Sequence, residues 1–313
     1  MNLPLMLAKL YGPDIASDPM TIALVTGSAF AFGTSIGSFL NVCVARMPIM
    51  SLVTQYKSGD EAVRREIVES LDEDPDKARD MMTKMVEARL GLAKPRSHCP
   101  TCQKPIAWYD NIPLASWMLL GARCRHCRER ISPVYPAVEL LSGLALAFLV
   151  WHFGLVVGPI YFAIYAALLV VTGVDLAIYE IPDEIVLPGI PLGILASFVL
   201  PVSLRDAAIG AVVGGALPFA IAKGYLLLTK REGMGFGDVK LLAMIGAFFG
   251  WQGVIVVLLV ASAVGSVVGL GWIFATRREA RTLIPFGPFL SLGAMVYMLA
   301  GPQLVGWYTG SFG

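Results

Sequence analysis

The sequence has few charged residues. Asp, Glu, Lys and Arg make up 15% of its 313 residues, well below the roughly 25% typical of soluble domains. Hydrophobic residues make up 56%, and the mean hydropathy is +0.69. This composition excludes a soluble globular domain and indicates a membrane protein. The first apolar run is too long for a signal peptide and ends in SFLNVCVARMP, which offers no small-residue cleavage site. We therefore expect it to remain as a transmembrane helix.

Apolar segments of membrane-spanning length recur along the chain. A spanning helix needs about 20 mostly apolar residues, and seven segments approach that length: 21–44, 134–153, 155–174, 185–200, 207–228, 253–276 and 284–299. Segment 239–251 is shorter. We count it as an eighth span because only then do the loops rich in Lys and Arg all lie on the same side of the membrane. The sequence thus predicts an all-α polytopic membrane protein of about eight transmembrane helices.

Basic residues are distributed unevenly. Of the 24 Lys and Arg residues, 15 lie between positions 46 and 130. With eight spans, six others share that side: Lys230, Arg231, Lys240, Arg277, Arg278 and Arg281. Because loops rich in Lys and Arg stay in the cytoplasm, we expect both termini to be periplasmic. The predicted domains are 1–45, the N-terminus and first helix; 46–132, a cytoplasmic domain; and 133–313, a seven-helix membrane domain.

The cytoplasmic region divides into two parts. The insert 51–96 is charged and favours helix, with Asp74 as a cap, Pro75 in a first turn and Gly91 as a stop. We interpret this insert as a solvated helical hairpin or lid; a dedicated partner site is the alternative. No internal repeat or low-complexity tract is present.

Four of the five cysteines form two Cys-x-x-Cys pairs. These are Cys99, Cys102, Cys124 and Cys127. The spacing is typical of four-cysteine zinc modules, and disulfides are not expected in the reducing cytoplasm. We interpret the site as structural zinc; a redox dithiol and unliganded thiols are the alternatives. His98, beside the first pair, and His126, within the second, are alternative ligands that we expect to lie just outside the ligand set, and the lone Cys43 is expected to be a packing residue.

Two aspartates lie at the ends of predicted spans. Inserting a charged residue at the centre of a membrane helix costs about 2.5 to 3.5 kcal/mol. Each charged residue in a predicted span therefore needs a structural or functional explanation. Asp175 ends the third span and Asp238 begins the sixth, both at the expected cytoplasmic boundary. Paired carboxylates are the chemistry of aspartic proteolysis, in which two close like charges share one proton and activate water. Glu139 and Asp183 are weaker candidates, better explained as a capping or interhelical contact and as a helix cap, respectively.

The stretch GMGFGDVK carries Asp238 into an apolar helix. Gly233, Gly235 and Gly237 allow left-handed backbone and close approach to a substrate or a neighbouring helix. A nucleotide loop is one alternative, but no strand precedes this loop and its acidic residue would repel phosphate. A structural loop in which the aspartate merely caps the helix is another alternative.

Several motifs resemble those of one family, the bacterial prepilin peptidases, which are Gly-x-Gly-Asp intramembrane aspartic proteases. The matching motifs are GSFLNVCVARMP, the paired cysteine module with NIPLASW between its halves, YPAVELLSG, DLAIYEIPDEIVLP and GMGFGDVKLLAMIGAFFG. They follow the family's order and cover most of the chain. One departure is Ala122, preceded by Gly121, where the family pattern has a glycine in a region linked to methylation.

The resemblance implies a function and its residues. Asp175 and Asp238 would be the catalytic pair, Gly235 and Gly237 the glycines of the signature, and the four cysteines the zinc ligands. The family removes the basic leader of type IV prepilins or type II secretion pseudopilins after a glycine, and then N-methylates the new terminus with S-adenosylmethionine. The implied setting is the bacterial inner membrane, with the zinc domain and the aspartates on the cytoplasmic side, protein substrates and no nucleic acid.

Two further function classes explain part of the sequence. A proton-coupled transporter would use the same carboxylates, but it needs ionisable groups along a path across the bilayer, and the outer halves of the spans offer almost none. A zinc-bearing membrane scaffold without catalysis accounts for the cysteines and leaves the paired aspartates unexplained.

Overall fold

The computed structural model describes residues 18–71, 74–87, 91–230, 235–276 and 284–310. The helices are α1 (Pro19–Ser58), α2 (Glu61–Ser70), α3 (Pro75–Glu87), a 3-10 turn (Trp108–Asn111), α4 (Ala115–Leu119), α5 (Val134–Ile178), α6 (Asp183–Ala196), α7 (Leu204–Thr229), α8 (Phe236–Thr276) and α9 (Gly287–Thr309). These ranges contain no β-strand, only two isolated bridges. The predicted all-α class is confirmed. The N-terminus and five residues used above lie outside the described ranges: Arg231, Gly233, Arg277, Arg278 and Arg281.

Five helices are long and apolar enough to cross a membrane, namely α1, α5, α7, α8 and α9. Two of them each contain two predicted spans, joined at a glycine. Gly154 in α5 has φ 83° and ψ 176°, and Gly250 in α8 has φ 76° and ψ 178°. Glycine adopts such backbone angles without the steric cost that a side chain imposes.

The chain reverses direction at both glycines. A Cβ atom built on Gly158 would lie 2.7 Å from the carbonyl oxygen of Leu149, and one on Gly246 would lie 2.8 Å from Cγ2 of Val254. Residues eight or nine apart in a straight helix are separated by about 12 to 14 Å. Each long helix is therefore a helical hairpin. With the 14-residue α6, the eight predicted segments are all accounted for as helices.

The chain divides into two compact units, and the first is Pro19–Phe148. In this unit α1 packs closely on the start of α5, because α1 carries glycine at the contact. A Cβ atom on Gly33 would lie 2.7 Å from the carbonyl oxygen of Ser142, and one on Gly37 would lie 2.8 Å from Cα of Glu139. Small residues commonly allow membrane helices to approach in this way.

The charged insert of the first unit is helical, as predicted. Asp60 accepts hydrogen bonds from the backbone N–H groups of Ala62 and Val63 at 3.0 Å, and Asp74 accepts one from Asp76 at 3.0 Å. These are standard N-terminal caps. The buried side chains of α2 and α3 are apolar: Ile67, Val68, Ala78 and Met82. Apolar burial and capping together therefore hold the hairpin.

The second unit contains the described residues from Leu149 onward. Its most enclosed element is the first segment of α8, against which α6 and α7 pack through glycines. A Cβ atom on Gly210 of α7 would overlap the carbonyl oxygen of Gly246, and one on Gly193 of α6 would lie 2.7 Å from Cβ of Ala247. Leu241 is fully buried. Asp238 therefore begins a short helix that its neighbours surround.

Candidate active site

Asp175 lies in the last turn of the second segment of α5, and only 4% of its surface is exposed. Its Oδ2 atom accepts a hydrogen bond of 2.9 Å from the backbone N–H of Gly287, the first residue of α9. Free N–H groups at a helix start favour a carboxylate. Sequence reasoning did not single out Gly287; its only signal is Pro288 directly after it, since proline favours the first helical turn.

Asp238 lies in the first turn of α8 and is 8% exposed. A Cβ atom built on Gly235 would lie 3.4 Å from Oδ2 of Asp238, and the Asp238 carboxylate interacts electrostatically with Asp175. Within the part of the chain that the structure describes, no Lys, Arg or His lies within 4.0 Å of either carboxylate. The structure thus buries both predicted aspartates within electrostatic range of each other and without a neutralising cation from the described residues, and nearby like charges favour protonation of one of the two groups.

Two further contacts join the segments that carry the aspartates. Lys240 forms an ion pair with Asp183, and a Cβ atom on Gly237 would lie 3.0 Å from Cβ of Ile181. The expectation that Asp183 caps α6 is wrong: Pro182 occupies the cap position, and the Asp183 carboxylate pairs with Lys240 instead. Gly237 has helical backbone, so it provides close approach and not the left-handed conformation expected of it.

The four cysteines of the two pairs form a cluster. Their Sγ atoms all lie within 4.8 Å of one another, and Sγ of Cys99 lies 3.7 Å from Sγ of Cys127. Tetrahedral zinc with Zn–S bonds of about 2.3 Å places its sulfurs about 3.8 Å apart. The donor set and its spacing therefore fit zinc. His98 and His126 do not belong to the cluster, and the separate Cys43 is buried, as expected of a packing residue.

The backbone around the two pairs repeats the same turn. The N–H of Cys99 donates to the carbonyl of Lys104, and that of Cys124 to the carbonyl of Glu129. Gln103 and Arg128, each four residues after the first cysteine of its pair, have φ of 57° and 59°. Two equivalent turns thus present four sulfurs to one point.

The thiols differ in acidity. The backbone N–H of Cys102 donates to the Cys99 sulfur and lowers the pKa of that thiol to about 6, and the N–H of Cys127 lowers the pKa of Cys124. Although the N–H of Glu129 favours the Cys127 thiolate, burial and the neighbouring sulfurs raise the pKa of Cys127 to about 12. Like charges compete in such a cluster. A divalent cation would allow all four to bind as thiolates.

Glu139 lies at the start of α5 in the first unit. Its Oε2 atom accepts a hydrogen bond of 2.8 Å from the backbone N–H of Leu114. Of the two explanations considered from the sequence, the structure supports a contact between elements and not a helix cap.

Comparisons with known proteins agree with this arrangement. Residues 31–153 match the model of the bacterial peptidase A24 N-terminal domain, and residues 162–270 match that of the type IV leader peptidase family. Similar proteins include the prepilin leader peptidase/N-methyltransferases of Stutzerimonas stutzeri, 38% identical over 94% of this chain and 96% of the relative, and of Aeromonas hydrophila, 37% identical over 90% and 93%. The protein of that name from Pseudomonas aeruginosa is 36% identical over 94% of this chain and 96% of its own. No solved structure matches the chain.

Proposed function

The chain belongs to the type IV leader peptidase family, and we propose that it removes the leader from prepilins or pseudopilins with Asp175 and Asp238 as its catalytic pair. The observation that carries the proposal is two buried carboxylates, on α5 and α8, that interact electrostatically and have no cationic partner in the described ranges, the first of them held by the backbone N–H of Gly287. The close relatives, which carry the name prepilin leader peptidase/N-methyltransferase, support the same activity.

The chemistry follows from two carboxyl groups sharing one proton. The ionised group takes a proton from water, which attacks the scissile carbonyl carbon, while the protonated group donates its proton to the carbonyl oxygen. The group that took the proton from water then gives it to the leaving amine, and the other group takes back a proton from the tetrahedral intermediate as the carbonyl re-forms. Because the pair titrates as a unit, neither aspartate has a fixed role. The N–H of Gly287 keeps the Asp175 carboxylate oriented while protons move.

The substrate and the side of cleavage are the finer part of the proposal. We propose that the cut falls after a glycine that follows a basic leader, at the cytoplasmic face of the inner membrane. The concentration of 15 of 24 basic residues between positions 46 and 130 supports a cytoplasmic first unit.

Zinc and a methyl donor complete the proposal. Cys99, Cys102, Cys124 and Cys127 would hold zinc, which stabilises the fold of the first unit and leaves no coordination position for water. The relatives' name supports a second reaction, N-methylation of the new terminus, in which S-adenosylmethionine supplies the methyl group.

The test uses the full chain in detergent with a precursor pilin. We expect Asp175→Asn and Asp238→Asn each to abolish cleavage. Glu184→Gln is the matched control, because Glu184 is an exposed carboxylate in the first turn of α6 and should leave cleavage unchanged. Mass spectrometry of the product, with and without S-adenosylmethionine, reports the cleavage position and methylation together. Undiminished cleavage by either aspartate variant would rule the mechanism out.

A further inference from the structure

The first unit contains a cavity that the peptidase chemistry does not use. Its volume is about 530 Å³, and it lies between α1, the cysteine module and the start of α5. Small-molecule sites typically occupy about 300 to 1,000 Å³ and combine apolar walls with a few placed polar groups. The lining here includes the buried amide of Asn41, the indole of Trp117 and the carboxylate of Glu139.

Seven charged residues line the cavity, namely Arg46, Lys104, Asp110, Arg125, Glu129, Arg130 and Glu139. Among the described residues, two of the lining carboxylates lack an ion pair: Glu129, which is exposed, and Glu139. The Glu139 side chain is half-buried, and only its Oε2 atom has a hydrogen bond, from the N–H of Leu114. Across the described ranges, no Lys, Arg or His lies within 4.0 Å of this carboxylate. By contrast, Asp110, which also lines the cavity, is already paired with Arg125. A half-buried carboxylate that has no basic partner can accept a positively charged ligand, and in the described part of the chain Glu139 is the carboxylate of this lining that meets both conditions.

The residue bound to Glu139 has a strained backbone. Leu114 has φ 61° and ψ −50°, and the N–H of Ala115 donates to the carbonyl of Pro113 at 2.6 Å. This is a γ-turn of the positive-φ type, which is rare and strained. Strained non-glycine residues concentrate at ligand-binding and functional sites. The Glu139 carboxylate, which has no basic partner among the residues that the structure describes, therefore lines the cavity next to the strained turn at Leu114.

We propose that this cavity binds the methyl donor of the second reaction, with Glu139 as the acceptor for its positive charge. The inference rests on the proposed N-methyltransferase function. S-adenosylmethionine carries a sulfonium, an ammonium and an adenine ring. An anionic carboxylate complements the cations, and an indole complements both a cation and an aromatic ring. Glu139 is a binding residue in this proposal and takes no part in peptide cleavage.

The test measures binding directly. Full-length, zinc-loaded protein in lipid nanodiscs is titrated with S-adenosylmethionine by isothermal calorimetry. Glu139→Gln keeps an oxygen that can accept the Leu114 N–H and removes only the charge, so we expect affinity to fall about 10- to 100-fold. Ala45→Phe places an aromatic ring into the cavity from α1, and we expect it to block binding.

Glu66→Gln serves as the matched control, since Glu66 is an exposed carboxylate of α2 away from the cavity, and it should bind as the unmodified protein does. Thermal unfolding of each variant identifies any variant that is misfolded. If Ala45→Phe is misfolded, the affinity of Glu139→Gln alone tests the proposal. Unchanged affinity in a folded Glu139→Gln variant would overturn the assignment and leave the proposed function intact. If the unmodified protein cleaves precursor but binds no S-adenosylmethionine, the methyltransferase part of the proposed function fails, and the site with it.

Discussion

A methyl group added at Gly287 is the sharpest perturbation of the candidate active site. In Gly287→Ala the new Cβ atom would lie 2.6 Å from Oδ2 of Asp175 and 3.2 Å from its Cγ, whereas real Cβ contacts essentially never fall below 3.0 Å. The carboxylate or the start of α9 must therefore move by at least 0.4 Å, the difference between 3.0 and 2.6 Å. The backbone N–H of residue 287 is retained in the variant, so the substitution changes the position of the carboxylate relative to α9 and not its hydrogen-bond donor.

Catalysis is sensitive to displacements of this size. Catalytic groups must be held within about 0.5 Å of productive geometry, and a misplacement of about 1 Å can cost about 100-fold in rate. We expect Gly287→Ala to lower kcat about 10- to 100-fold. KM should change less than kcat, because the substitution displaces a catalytic carboxylate and removes no side chain. The assay is steady-state cleavage of a precursor pilin in detergent, with thermal unfolding measured on the same preparation.

Gly215→Ala is the matched control for the same substitution in the same unit. Its Cβ atom would meet Cβ of Ala243 at 3.7 Å, an ordinary contact, and replacing a helical glycine by alanine can stabilise by about 0.5 to 1 kcal/mol. We expect full activity from this variant. The reasoning is refuted if Gly287→Ala retains the kcat of the unmodified protein, or if Gly215→Ala loses as much.

Three other outcomes follow from the first unit. Ala122→Gly should raise its unfolding midpoint, because Ala122 has φ 58° and left-handed backbone costs a non-glycine residue about 1 to 2 kcal/mol; a lower midpoint would contradict this. Removing zinc with a chelator should loosen the unit and reduce activity indirectly, seen as faster limited proteolysis of residues 91–133; abolished cleavage with unchanged proteolysis would instead require a direct metal role. Arg125 holds the pKa of Asp110 below its usual value, so Asp110 stabilises the fold above the ordinary carboxyl pKa and loses this effect as pH falls through the lower folded value. In urea unfolding at a series of pH values, the stability difference between the unmodified protein and Asp110→Asn should therefore shrink toward acid, and a constant difference would count against the ion pair.

The sequence predicted the helical segments but not how pairs of them are joined. Periodic apolar runs and charge placement were enough to locate all eight, including the short segment 239–251. Each of the two long helices α5 and α8 consists of two segments that meet at a glycine, Gly154 or Gly250. The sequence did not predict these two junctions. Glycine within an apolar run gives no local sign of a hairpin, because helices also tolerate it when neighbours pack closely.

The site was predicted where a motif names its residues and missed where contacts join distant positions. Asp175 and Asp238 were found because buried carboxylates are rare in apolar segments. Gly287 was missed because its role is a hydrogen bond to a residue 112 positions away. The cysteine spacing predicted the cluster, but the left-handed Gln103 and Arg128 were not predictable, since neither is a residue type that favours that backbone.

The position of Asp238 links the packing of the second unit to its chemistry. The helix that Asp238 begins is held by glycine contacts from α6 and α7, where Gly210 and Gly246 bring two backbones together, and such contacts leave little room for the helix to shift. Lys240, two residues later, ties the same turn to Asp183 at the start of α6. Asp175 is held separately, by the first N–H of α9. Asp175 is therefore oriented by a backbone donor and Asp238 by the packing of its helix and the Lys240–Asp183 ion pair, which preorganises both carboxylates for the proposed reaction.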